Sequence, residues 1–489
     1  MNSKGNDHSG SLRTYQPAPN LVFDVVPINP IDTTNLVKPF VITYSLYFTG
    51  YLDPVKLHDS LELLILRKYR ILGARLTSAL DSFYVPRAKS FSRDTLPAVV
   101  FTSNNRGQTS VATVNPSLPH LDTLSDRITL HPGVNSLRAL VPAVGTPEQY
   151  CPNPNQPELN PPMLKVHVET FSDATIISVR GPHIFNDAKG FERILADWAT
   201  AVNSDVEDAI GPATLGWNPL SGLGDRHNLA NDAANIPLGW SSIVGAAEKQ
   251  FLENFKKEME SEPRAKYMSF HFPSSEITRL RSEAQGVADR VRLSENDVIF
   301  AFLARAWASS CSASPSTLAH LVFPLDLRFM LPERYGPDPS SYIHNAVFAV
   351  PLLHTFTVGQ LRTMSLGAVA MEVRKTVQQL TKEGLERTVD WVLANPEQNP
   401  VPRGVDGLFF GVSSWRKMKF LDIHFRGALQ GGGDGKLTRI WGSGSSAAGA
   451  RRICMVESDD GEGGLWCSVE LPEGDWDRGQ FKDIERRGG

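Results

Sequence analysis

The passage from Met163 to Val202 constrains this chain more than any other. MLKVHVETF and ATIISVRG are two extended runs separated by the turn-like Ser172-Asp173, and Phe191, Ile194, Leu195, Trp198 and Val202 then recur at helical spacing. A hairpin feeding directly into an amphipathic helix must bury one face of each, so helix has to pack on sheet. The same alternation appears elsewhere. VITYSLYFTGYL (Val41 to Leu52) reads as strand, and a helix begins after it with Asp53 as N-cap, Pro54 at the first helical position, and Leu57, Leu61, Leu64 and Ile65 on one face. Further on, KYMSFHF reads as strand. RLSENDVIFAFLARAWASS carries a capping-box pattern, Ser294 with Asp297, ahead of a run apolar on all sides, which implies a helix deep in a core.

These elements predict an α/β protein with mixed sheets flanked by helices. At 489 residues the chain exceeds what one hydrophobic core usually supports. The expected division is a disordered tail over 1–20, an N-terminal half over 21–202, a linker over 203–245, rich in Asn, Asp, Gly, Pro and Ala, and a C-terminal half over 246–489.

Composition narrows the function classes. Hydrophobic residues are 41% and charged residues 21%, the balance of a globular protein, and a net charge of −4 offers no broad basic surface for nucleic acid. Four cysteines, Cys151, Cys311, Cys454 and Cys467, are too far apart for a metal knuckle and too sparse for a disulfide framework. No H-E-x-x-H, paired histidines or acidic calcium loop suggests a metal. The first twenty residues hold no apolar signal segment, and no later run reaches the length of a membrane span. An intracellular, soluble protein, a cytoplasmic monomer, is expected.

One stretch carries chemistry. In RGPHIFNDAKGF, His183 stands four residues before Asp187, where the hairpin strand ends and the helix begins. From the residues alone two readings stay open: Asn186 or Asp187 caps the helix and His183 is a strand-end residue, or a rigid turn presents a neutral imidazole as general base. No G-x-S-x-G elbow accompanies it, which favours direct transfer over a covalent acyl-enzyme. GGGDGKL (Gly431 to Leu437) lacks the first Gly and the Ser or Thr of a phosphate loop. GSGSSA (Gly442 to Ala447) is followed by too little chain for a dinucleotide fold. Both are read as flexible loops.

HIFNDAKG, preceded by MLKVHVETF and followed by FERILADWA, resembles the H-x-x-x-D motif of the BAHD acyltransferases, the acyl-CoA-dependent enzymes of the chloramphenicol-acetyltransferase superfamily. SLELLILRKYRILGARL, RLSENDVIFAFLARAWA, and PLDLRFMLPERY with YIHNAV resemble further family segments in the right order. SSWRKMKFLDIHFRGA departs at the D-F-G-W-G signature, where His424-Phe425-Arg426-Gly427-Ala428 keeps only the Phe. That departure is closer to fungal trichothecene-type acetyltransferases than to plant members.

The resemblance implies two chloramphenicol-acetyltransferase-like α/β domains, each a mixed sheet flanked by helices, with a channel between them. His183 is the implied base, and Asp187 pairs with Arg328 to brace its turn. Trp415 and Ser413 are candidates for positioning the substrate or tetrahedral intermediate. No motif marks the CoA-contacting residues. The implied reaction moves a small acyl group, such as acetyl, from acyl-CoA, a co-substrate and not a resident cofactor, to a hydroxyl of a secondary metabolite. N-acylation or a condensation-type reaction is the alternative within catalysis, and a non-catalytic small-molecule binder is the alternative outside it.

Overall fold

The computed structural model describes residues 12–486 apart from 35–36, 117, 119–124, 132–136, 138–139, 142–145, 205–214, 222–238, 244–245, 289, 396–398, 403–405 and 446–450. Two mixed sheets organise these residues. The first has five strands in the spatial order Leu437–Ser445, Val41–Thr49, Ala174–Pro182, Lys165–Thr170, Val100–Asn105. The second runs Val347–Pro351, Leu318–Asp326, Leu408–Ser414, Ile453–Asp459, Leu465–Pro472, Ala265–Phe272, Thr129–His131, Glu485–Arg486, with Phe356–Thr357 paired to Leu318–Asp326. Each sheet borrows a strand from the other half of the sequence: Leu437–Ser445 joins the first, and Thr129–His131 the second.

The first sheet forms as its patterning requires. Ala174–Pro182 lies between Val41–Thr49 and Lys165–Thr170, antiparallel to both. Leu46, Phe48, Ile177 and Val179 face a single core with Leu61 and Leu64 of the helix Pro54–Arg67 and with Ile194, Leu195 and Trp198 of the helix Ala188–Asn203. The buried Trp198 indole N–H is satisfied by Leu57 O at 3.2 Å and Ser60 Oγ at 3.1 Å, which ties the two helices together. In the second sheet's core the helix Glu295–Ser310 is buried along nearly its whole length, with the Ser294–Asp297 capping box formed in both directions.

Two expectations fall differently, and a third lies largely outside the described residues. The tail was expected over 1–20; residues 1–11 lie outside the described residues, but Arg13–Ala18 is a strand paired with Leu21–Pro27. Tyr15 holds it, its ring packing on Phe23 and edge-on to Tyr84. Of GSGSSA, read as a loop, Gly442–Ser445 ends the strand Leu437–Ser445, whereas 446–447 lie outside the described residues. A Cβ at Gly442 would sit 2.1 Å from the Trp415 ring, so glycine marks a close side-chain approach within a strand. The expected linker over 203–245 falls largely outside the described residues, and its described end, Trp240–Ile243, pairs with Asn399–Pro402. Among the described residues no helix is long and apolar enough to cross a membrane, and no cluster of His, Cys, Asp and Glu could hold a metal ion.

Candidate active site

His183 follows the last residue of the strand Ala174–Pro182, and its backbone N–H donates to Phe40 O at 2.8 Å. Its side chain is partly accessible, while Nδ1 is buried without a hydrogen-bond partner among the described residues. Burial lowers the imidazole below the ordinary histidine range, so the ring is neutral at pH 7.

Asp187 is the N-cap of the following helix: Oδ1 accepts the Gly190 N–H at 2.8 Å. The same carboxylate meets Arg328, 141 residues away in sequence, through Nη1 to Oδ2 at 2.9 Å and Nη2 to Oδ1 at 3.1 Å. This is the two-point fork that fits guanidinium to carboxylate. Burial alone would raise Asp187, but the charge and hydrogen bonds of Arg328, with the N–H groups of Ala346 and Gly190, hold it below the usual carboxylate range.

Arg328 is fully buried and also donates to Tyr342 O, His344 O and Asp326 Oδ1. The segment Tyr342 to Ala346 is therefore a strap across the histidine turn. The Ala346 N–H donates to Asp187 Oδ2 at 2.8 Å, the Asn345 amide donates to His183 O at 2.7 Å, and His344 Nδ1 lies 3.1 Å from Phe185 O. Gly190 belongs to this clasp, because a Cβ there would fall 2.0 Å from Ile343 O. The strap precedes the strand Val347–Pro351 of the second sheet, so it fixes the end of a first-sheet strand to the second sheet.

Asn345 and His344 were not singled out from sequence, although YIHNAV was read as a family-like segment. Nothing in spacing could show that this Asn holds a carbonyl more than 160 positions away. Trp415 is buried, its ring tilted against those of Tyr44 and Phe420, and its indole N–H donates to Ser413 Oγ at 3.2 Å. These two candidates thus meet each other, at the end of the strand Leu408–Ser414. Phe425, the survivor of the signature, is buried on Phe48 and Trp198.

A groove of about 570 Å³ opens where the helix Glu295–Ser310 begins, next to Trp415. Arg281, Arg292, Arg374, Arg416 and Lys417 line it. Arg374 is paired with Asp297, and Arg416 with Glu295 and Asp459, while Arg292 and Lys417 are exposed and make no ion pair among the described residues. Cations beside a helix N-terminus suit a phosphorylated ligand. A second groove, of about 610 Å³ on the outer face of the helix Ala188–Asn203, mixes its charges, with Lys189 paired to Glu192 and Arg193 to Asp197.

Residues 133–478 match a family model described as the Transferase family. The chain belongs to the Transferase family. It is an acyl-transfer enzyme. Acetyltransferase adrJ of Penicillium roqueforti is 26% identical to this transferase over 95% of the chain and 96% of the relative, and O-acetyltransferase PaAT-2 of Phomopsis amygdali is 24% identical over 82% and 83%. Among solved structures, F. sporotrichioides TRI101, complexed with coenzyme A and T-2, matches with a TM-score of 0.64 at 16% identity, covering 95% of this chain and 100% of that one. Vinorine synthase matches with a TM-score of 0.54 at 13% identity over 94% and 92%. These likenesses establish the two-sheet fold of the transferase.

Proposed function

We propose that this transferase moves a small acyl group, acetyl in the first instance, from acyl-CoA to a hydroxyl of a secondary metabolite within a ternary complex, with His183 as general base. The observation that carries this reading is the clasped histidine: a neutral, partly accessible imidazole at the end of a strand, on a turn fixed by Asp187, Arg328 and Asn345. A neutral imidazole can take the hydroxyl proton as the oxygen attacks the thioester carbonyl, then return it to the departing thiolate. A turn that cannot move holds that nitrogen where the reacting atoms meet, which is where most of the entropic advantage arises.

Coenzyme A presents phosphates, and the groove at Arg292 and Lys417 offers cations in no ion pair among the described residues. TRI101 was solved with coenzyme A and T-2, which supports an acyl-CoA donor and a small-molecule acceptor here. Ser413 lies on the strand leading to that groove and Trp415 just past its end, and both are assigned to positioning; the indole N–H reaches the intermediate only by way of the Ser413 hydroxyl or by leaving it. The test is thiol release from acetyl-CoA by purified protein with hydroxylated terpenoid, alkaloid and polyketide acceptors and no carrier protein. Release that depends on an alcohol supports the reading. Release only with amines, or only with a carrier protein, would turn the assignment to amide formation or condensation.

A further inference from the structure

The strands of the first sheet turn one face to the helices and the other toward Trp466 of the second sheet and toward Val111, Leu137 and Leu140. On the latter, Val41 stands opposite Pro182, next to His183, and alternation then places Thr43, Ser45 with Ser178 and Trp441, and finally Arg439 opposite Tyr47. This face is buried, yet much of its hydrogen-bonding capacity is unused. Among the described residues, Thr43 Oγ1, Ser178 Oγ, Trp441 Nε1 and all three side-chain nitrogens of Arg439 have no partner, nor does Nε1 of Trp466, which faces them from the second sheet.

Arg439 is 3% exposed and held between two indoles, its guanidinium carbon 3.4 Å from the Trp466 ring centroid and 4.5 Å from that of Trp441. The nearest carboxyl group able to balance its charge is Glu457, which is otherwise engaged. Its Oε1 accepts the Gly442 N–H and its Oε2 the Ser468 hydroxyl, each at 2.9 Å, and it forms no ion pair with Arg439 among the described residues. Burial also raises Glu457 toward the neutral acid while Arg439, though lowered by burial, stays protonated at pH 7. Among the described residues, the face therefore holds a buried cation with no hydrogen-bond acceptor and no full counter-charge. Such an arrangement is costly unless something else supplies the oxygens.

The character of the unused groups selects the ligand. Guanidinium and indole nitrogens only donate, and the planar fork of arginine matches two coplanar oxygens. We propose that Arg439, with Trp441 and Trp466, receives a carboxylate of the acyl acceptor, so that the preferred substrate is a hydroxy acid whose hydroxyl reaches His183. This rests on the acyltransferase reading and adds the substrate class. Six ladder steps separate Val41 from Tyr47, about 20 Å at ~3.3 Å per residue, less the reach of the Arg439 side chain toward Trp441. That separation excludes a carboxylate carried on a short acyl group such as malonyl, whose two ends are only a few bonds apart. It requires an acceptor of polycyclic or long-chain size.

Binding tests the site independently of turnover. Decanoic and abietic acids, each paired with its methyl ester and none bearing a hydroxyl to acylate, are titrated at pH 7 against the full chain by tryptophan fluorescence. At least one acid is expected to bind tenfold or more tightly than its ester, and Arg439→Met to bring acid and ester level. Arg439→Lys, which keeps the charge and loses the fork, is expected to reduce the preference severalfold, and it carries the comparison if the methionine variant does not fold. Equal binding of acid and ester in both pairs, binding of neither, or a preference that survives both substitutions would overturn the proposal and leave ordered water as the partner of Arg439. Absence of acyl transfer to every alcohol, with acid binding intact, would defeat the proposed activity and not this site.

Discussion

Arg328→Met is the most informative perturbation of the clasp. The side chain is fully buried, and its loss leaves Asp187 buried with its principal counter-charge gone and the carbonyls of Tyr342 and His344 without their donors. Asp187 retains the N–H groups of Gly190 and Ala346, which moderates the loss without neutralising the charge. Breaking a buried pair by removing one partner costs about 3–5 kcal/mol. Asp187→Asn is expected to cost less. Asparagine still caps the helix when its oxygen faces Gly190, but its NH2 group then meets the donors Arg328 Nη1 and Ala346 N, and turned over it meets Gly190 N and Arg328 Nη2. Thermal and urea unfolding of both variants and of the double mutant form a cycle, and a coupling of about 2 kcal/mol or more is expected for groups in direct contact. If the turn aims His183, kcat falls about 10²-fold in the folded variants while KM for acetyl-CoA changes little. Two single variants with wild-type stability and wild-type kcat would refute the brace.

Three further outcomes follow from the same geometry. Gly190→Ala puts a methyl group 2.0 Å from Ile343 O, and overpacking of this kind is expected to lower stability by about 1–3 kcal/mol or more, with kcat reduced because the strap must shift. Arg292→Ala combined with Lys417→Ala should raise KM for acetyl-CoA severalfold at unchanged kcat, an effect that shrinks as salt is added; an unchanged KM would remove the groove from the donor site. Asp32 is buried beside the strap, and burial raises it well above the usual carboxylate range. A carboxyl group raised in the folded state contributes stability below its unfolded pKa and loses it as pH rises through the folded value. Asp32→Asn should therefore lose less stability than wild type between about pH 5 and pH 9, measured by thermal unfolding. An identical pH dependence in the two proteins would show that Asp32 ionises freely.

Periodicity and capping made much of the fold legible. The hairpin, the helix capped by Asp187, the helix behind Asp53 and the buried helix behind the Ser294 box each announce themselves through local rules, and local rules are readable one segment at a time. What joins those segments is not local. Leu437–Ser445 closes the first sheet against Val41–Thr49 across almost 400 positions, and its glycines resemble a loop until Trp415 is seen packed on Gly442. The site divides the same way. His183 and Asp187 stand out by spacing and by their place between strand and helix, and the resemblance supplied Arg328. Asn345, whose amide holds the His183 carbonyl, and Arg439, whose environment lies on two sheets, have no sequence signal that separates them from any other buried polar residue.

The central claim, a neutral His183 acting as base on a fixed turn, is tested most directly by kcat/KM for acetyl-CoA thiol release as a function of pH in wild type and His183→Ala. Because burial lowers the folded-state pKa of His183, the wild-type acidic limb is predicted below the ordinary histidine value of ~6.5. The alanine variant should fall by about 10²–10⁴-fold at pH 7, with that limb absent and its thermal midpoint near that of wild type. A folded His183→Ala protein that transfers acetyl at the wild-type rate with the same acidic limb would contradict the account.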